Sequence, residues 1–377
     1  MKIKKKSFIV LLIIVFLLGG LTSGLLISLN NGGIKSYAYA TYMAKKYAKA
    51  EGIMKGIEKN YYQDVNENEI MDMMYRGIVA GLNDKYSAYM TKEEFEEYKN
   101  DLAGEFEGIG ATFRQTGESE FTIVDVIKDS PAQKAGIKVK DIIVKVDDKK
   151  YTKLDEVGHA VRGKKGTKVK ITYLRAGKTY SKSIIRDRIV TESVNVSNLN
   201  DDIAYLKISS FDEETAKRFK AELNKIEASD SKGLIIDLRD NGGGLVDQAI
   251  KITDELMGKA KITYLQNKEG KQKEYWSDSN KTSLPYVILV NEKTASASEI
   301  LTAAIKDEGE GKIVGTKTYG KGVIQSTSEL KDGDAVKLTI MEYYSPKGYK
   351  IHQKGIVPNY VIKSKENQLK KAIDLLS

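Results

Sequence analysis

The sequence predicts an α/β (α+β) core preceded by a small β-rich module, a helical region and one transmembrane helix. Three observations carry this. Between about Val190 and Ile362, strand-like and helix-like runs alternate, the order that builds a sheet buried among helices. From about Gly104 to Arg188, short β-rich runs are separated by turn glycines. Ser7 to Leu29 is a stretch of 23 residues without a charge. At about 1.5 Å rise per residue it is long enough to cross a bilayer core of roughly 30 Å.

Composition narrows the chemistry. At 377 residues the chain has room for two or three domains, and 41% hydrophobic with 30% charged residues excludes wholesale disorder. Cysteine is absent and histidine occurs only at 159 and 352. Thiolate nucleophiles, disulfides and multi-histidine metal centres are thereby excluded, and no metal or organic cofactor is expected. The net charge of +9 includes Lys2, Lys4, Lys5 and Lys6, so the remainder is too thinly charged to point to a nucleic-acid partner.

Residues 1–6 read as a cytoplasmic N-terminus and 7–29 as the anchor, because the lysines precede the apolar run. This predicts a single-pass protein of the cell membrane whose working part is extracytoplasmic. The competing reading is a signal peptide, since Ala38-Tyr39-Ala40 has the form of a cleavage site and cutting near Ala40 would give a secreted protein. Residues 30–103 read as helical, with helical apolar spacing over Ile70 to Leu82 and a capping box at Thr91 and Glu94. Packing or homo-oligomer formation is the role expected of them.

In residues 104–188, Gly108-Ile109-Gly110-Ala111 puts glycines where backbone amides can turn inward. The run Ser130 to Asp148, SPAQKAGIKVKDIIVKVDD, resembles the signature of a PDZ domain. The resemblance implies that Gly108, Ile109, Gly110 and Ala111 bind a peptide's terminal carboxylate while the peptide adds as a strand. A helix near Leu154 to Arg162 would form the other wall. Arg162, beside that groove, is expected to pair with core acids and couple tail capture to assembly of the site.

Residues 189–377 form the core, closing on an amphipathic helix at about Glu366 to Leu376. Three places in it follow buried strands, where open α/β sheets present ligands. Asp237 to Gly244 (DLRDNGGG) lets backbone approach a substrate closely. Thr294 to Ile300 (TASASEI) sets a serine before a helix, which suits both a nucleophile near the helix dipole and an ordinary N-cap. Gly315 to Gln325 comes close to a phosphate-binding loop, but Gly322 stands where a hydroxyl is required and a strand-like run follows. A base for the serine could be His352 or a desolvated lysine such as Lys321; His159 falls in the β-rich module and suits the role poorly.

Together, DLRDNGGG, TASASEI and YGKGVIQ resemble the three core motifs of the carboxyl-terminal processing (tail-specific) serine proteases, which carry a PDZ domain at the same place. The resemblance implies Ser296 as nucleophile, Lys321, 25 residues on, as general base and Gln325 as the residue that orients the base. It implies oxyanion donors at Ala297, Gly242 and Gly243, with Glu299 and Thr318 in support. The substrates implied are proteins or peptides with exposed apolar C-termini, cut near those termini. A catalytically inactive PDZ adaptor and a nucleotide hydrolase built on Gly315 to Lys321 are the alternatives from other classes.

Overall fold

The structure is a computed structural model and describes residues 33–199 and 202–377. It divides into two compact units, one ending at Met74 and one running from Tyr75 to Ser377. The first holds α1 (Gly33–Asn60) and the start of α2 (Glu67–Ala80). Tyr47, Met54, Ile70 and Met74 line a cleft of about 470 Å³ within it.

The expected membrane-spanning helix and the membrane localisation built on it require correction. Among the described residues no helix is long and apolar enough to cross a membrane. The longest, α1, has 28 residues but carries Lys45, Lys46, Lys49, Glu51, Lys55, Glu58 and Lys59 along its length. Burying such charges in hydrocarbon is prohibitively costly. Residues 7–29, where the span was expected, and the N-terminus before them lie outside the described residues.

The second unit opens with the rest of α2, followed by β1 (Ala88–Met90) and α3 (Lys92–Leu102), whose Thr91 and Glu94 form the expected capping box. Next come β2 (Glu105–Gly108), β3 (Ala111–Gly117), β4 (Glu120–Val126), α4 (Pro131–Lys134), β5 (Ile142–Val146), α5 (Leu154–Val161), β6 (Lys168–Arg175), β7 (Lys178–Ile185) and β8 (Asp187–Val190). Strands β3 to β7 form one antiparallel sheet in sequence order, and β2 pairs with β8 beside it. Among the β-rich runs expected of this module, the run from Gly108 to Phe113 reads from its residues as one strand. The structure breaks it at Gly110, whose φ of 77° leaves the extended region.

The core continues with β9 (Val194–Asn198), β10 (Ile203–Ile208), α6 (Thr215–Glu227), β11 (Gly233–Asp237), α7 (Val246–Leu256), β12 (Lys261–Gln266), β13 (Gln272–Trp276) and β14 (Tyr286–Val290). It ends with α8 (Ala297–Glu308), β15 (Lys312–Gly315), β16 (Val323–Glu329), β17 (Ala335–Tyr344), β18 (Tyr360–Val361) and α9 (Lys365–Asp374). Its main sheet has the order β18-β15-β14-β11-β10-β9 and is parallel except for β9.

Strands β11 and β14 are buried at every residue, as their uninterrupted apolar runs require for a sheet covered on both faces. On one face Leu234, Ile236 and Ile288 pack with Phe219, Ile252 and Ile300 of α6, α7 and α8. On the other, Ile235, Val287 and Leu289 pack with Ala372 and Leu369 of α9. A second sheet joins β17 to β1, β12 and β16.

Candidate active site

The loops leaving the carboxyl ends of β11, β14 and β15 converge. The β11 loop is stitched to the β14 loop by Asn241, whose carbonyl accepts from the Ala295 amide at 3.0 Å and whose Nδ2 donates to the Ile208 carbonyl at 2.9 Å. Asn241 Oδ1 accepts from the Gly243 amide at 2.8 Å. Thr294 Oγ1 donates to the Leu238 carbonyl at 2.8 Å, tying the same loops a second time.

At the head of α8, Ser296 is buried and has φ 58° and ψ −119°, a conformation rare outside glycine and costing roughly 1–3 kcal/mol. The turn brings Gly243 so close that a β-carbon there would lie 2.7 Å from Ser296 Cβ and 2.7 Å from the Ala295 carbonyl oxygen. Only glycine fits, which accounts for one of the consecutive glycines in chemical terms. Among the described residues, the amides of Gly242 and Ala297 have no hydrogen-bond acceptor, whereas that of Gly243 is committed to Asn241.

Glu299, in the first turn of α8, joins the Ser296 turn to the loop after β15. One carboxylate oxygen accepts from the Ser296 amide at 2.9 Å and the Lys321 amide at 2.8 Å. The other accepts from Thr318 Oγ1 at 2.6 Å and the Gly320 amide at 2.7 Å. Burial pushes its carboxyl up, against the pull of those four bonds. The Glu299 amide returns to the Ser296 carbonyl at 2.8 Å. These contacts also answer the resemblance to a phosphate-binding loop: amides at Gly320 and Lys321 that would face a phosphate already face a carboxylate, and β16 follows in place of a helix.

Lys321 is half-buried. Burial lowers its amine below the ordinary lysine value, and the Lys337 ammonium lowers it further, while Tyr319, Asp84 and Glu299 act in the opposite direction. Its Nζ lies 5.0 Å from the centre of the Tyr86 ring. The buried Tyr343 hydroxyl approaches the backbone carbonyls of both Ser296, at 3.0 Å, and Lys321. Gln325 sits beyond a bulge in β16, and its Nε2 donates to Thr339 Oγ1 at 3.1 Å. His352 lies near the same place, its ring 6.4 Å from that of Tyr86 and its Nδ1 buried without a partner among the described residues; His159 is exposed on α5.

In the β-rich module, Ile109 is buried in the core and Gly110 makes the turn into β3. The Ile109 carbonyl accepts from the Ala132 amide at 2.7 Å and that of Gly110 from the Ile127 amide at 3.0 Å, so the carbonyls are occupied. Ala111 begins β3, an edge strand that among the described residues pairs with β4 alone. Val157 and Val161 of α5 share the module's core with Ala111 and Phe113. Arg162 caps α5, its guanidinium 4.0 Å from Asp101 of α3 and 5.6 Å from the centre of the Phe106 ring.

Sequence reasoning assigned no role to Asn241, Tyr86 or Tyr343. Asn241 lay in view, inside the glycine motif. Tyr86 and Tyr343 come from an unrelated segment and a plain strand run, and nothing local distinguishes them from packing residues.

These loops, the covered parallel sheet and the module with its open edge define a peptidase core preceded by a PDZ domain. Residues 202–362 match peptidase family S41 and residues 108–185 match the PDZ domain. The chain belongs to family S41 and is a serine-type peptidase of the carboxyl-terminal processing group. It is 37% identical to the carboxy-terminal processing protease CtpA of Bacillus subtilis over 95% of this chain and 77% of that protein. Against a probable CtpA-like serine protease of Staphylococcus haemolyticus the identity is 36%, over 97% of this chain and 74% of the relative. A similar relative from Staphylococcus saprophyticus, 38% identical over 82% of this chain, is spanned over 64% of its own length. In fold the chain resembles the photosystem II D1 C-terminal processing protease, with a TM-score of 0.55 at 24% identity, covering 85% of this chain and 89% of that one.

Proposed function

We propose that the chain cleaves unfolded or tail-tagged proteins near their C-termini through a Ser296–Lys321 dyad, with the PDZ domain taking the substrate's apolar C-terminal tail. The observation that carries this reading is the single buried carboxylate of Glu299, which accepts from the amides of both residues and so fixes their backbones to one another. Neutral Lys321 removes the Ser296 Oγ proton, and the oxygen attacks the scissile carbonyl. The amides of Ala297 and Gly242 receive the developing oxyanion. Gly243 contributes by letting the glycine loop pass against Ser296, since its own amide is engaged by Asn241. Lys321 then delivers its proton to the leaving amine, and water releases the acyl group by the reverse sequence.

Gln325, through Thr339, steadies the strand that follows Lys321. The lowered proton affinity of Lys321 suits it to the role of base, because an ordinary lysine is almost wholly protonated at neutral pH. In the PDZ domain, the Gly108–Ala111 loop receives the terminal carboxylate and the tail adds to the free edge of β3 against α5.

The test is incubation of the chain with a disordered protein ending in apolar residues, beside Ser296→Ala and Lys321→Ala. Each variant is expected to lose activity by roughly 1,000-fold or more. Wild-type kcat/KM is expected to rise with pH as Lys321 loses its proton, with the acid limb below the ordinary lysine range. Cleavage that persists in both variants overturns the dyad.

A further inference from the structure

Lys321 needs a wall that keeps water from its amine, and the loop that bears it does not supply one. Tyr319 on that loop is exposed, and Gly320 and Gly322 have no side chains. The wall comes from the segment before β1. The Tyr86 ring lies beneath Nζ at 5.0 Å, and Lys85 covers the same ring from its own Nζ, also at 5.0 Å, while donating to the Tyr319 hydroxyl at 2.7 Å. The segment is fastened at several points. Asp84 accepts from the Tyr86 amide at 3.1 Å and from Ser87 Oγ at 2.6 Å, and Ser87 Oγ accepts from the Thr339 amide at 3.0 Å. Strand β1 then pairs antiparallel with β17, Ala88 opposite Lys337.

Resting on the dyad reading above, we propose that Tyr86 is a positioning residue for the general base: its ring excludes water from the Lys321 amine and fixes where that amine can sit. A ring face also attracts an ammonium, so the two effects oppose one another. Exclusion of water is the larger for a compact, strongly hydrated ammonium. The net direction at Lys321, downward and caused first by burial, agrees. The other groups facing this amine are Lys337 on β17, Asp84 before β1, Glu299 on α8 and Tyr319 on its own loop. Lys85 and His352 flank the Tyr86 ring. Of all these, Tyr86 is the one whose apolar face meets the amine.

The experiment measures the pH dependence of kcat/KM, and of Ser296 labelling by a fluorophosphonate, in the full chain. For Tyr86→Ala the acid limb is expected to move to higher pH. Activity at pH 7 should fall roughly tenfold, part of the 100- to 10,000-fold a positioned base supplies, and return as the pH is raised. Tyr86→Phe, which keeps the ring face, is expected to hold the limb at its wild-type position. If Tyr86→Ala does not fold, Tyr86→Gln carries the same expectation, since it returns a polar, hydrated group to the amine. A limb that stays in place or moves to lower pH in the folded variant overturns the proposal. Cleavage that survives Lys321→Ala would instead overturn the underlying reading, so the two failures are distinguishable.

Discussion

The PDZ module and the core sheet are both β structure, yet they are built for opposite tasks. Strands β11 and β14 are buried at every residue and lie between other strands, so their backbone groups are spoken for and the loops at their ends have little freedom. In the module, β7 is exposed at all but one residue and β3 has a free edge. The contrast sets a region whose strands are paired on both sides against one that keeps an edge open to a further strand.

The largest effect on this contrast is expected from Glu299→Gln, which attacks the rigid side. A glutamine offers one oxygen where two serve four donors, and turns an amide toward two of those donors. With buried donors left unpaired at about 1–3 kcal/mol each, both thermal stability and turnover should fall sharply. Unchanged melting and turnover would show that the two loops are held by other means.

Gly110→Ala attacks the open side. Its φ of 77° disfavours a side chain, and the added carbon would lie 2.4 Å from Ser130 Cβ. The module is expected to lose about 1–3 kcal/mol, and preference for tailed substrates should fall while slow cleavage of tail-less peptides persists. Equal loss on both kinds of substrate, measured side by side, would contradict the division of labour.

Arg162→Ala should be the mildest change to the fold. Its pair with Asp101 is long and exposed, so stability should shift by no more than about 0.5 kcal/mol. Activation by a tail peptide should nevertheless change, and an unaltered response would remove Arg162 from any coupling between the two regions.

Much of the core was legible because its signals are local. The apolar runs of β11 and β14, the glycines at 242–244 and the serine before α8 all lie within a few residues of the feature they create. The same holds for the capping box at Thr91 and Glu94. The wall of the site was not legible. Tyr86 meets Lys321 across 235 positions of chain, and Tyr343 reaches Ser296 across 47, through pairings that no local pattern encodes. The opposite failure concerns Gly243, which was expected to donate to an oxyanion. Its value as a small residue could be read from sequence, but the bond from its amide to Asn241 Oδ1 arises only once the loop has folded.

Strand β17 carries Tyr343 and receives β1, the continuation of the segment that bears Tyr86. One late strand therefore unites residues from before the PDZ insertion with residues from after it. Because its partners lie at 335–337, β1 cannot take its place in the sheet during synthesis until that late stretch of chain has been made.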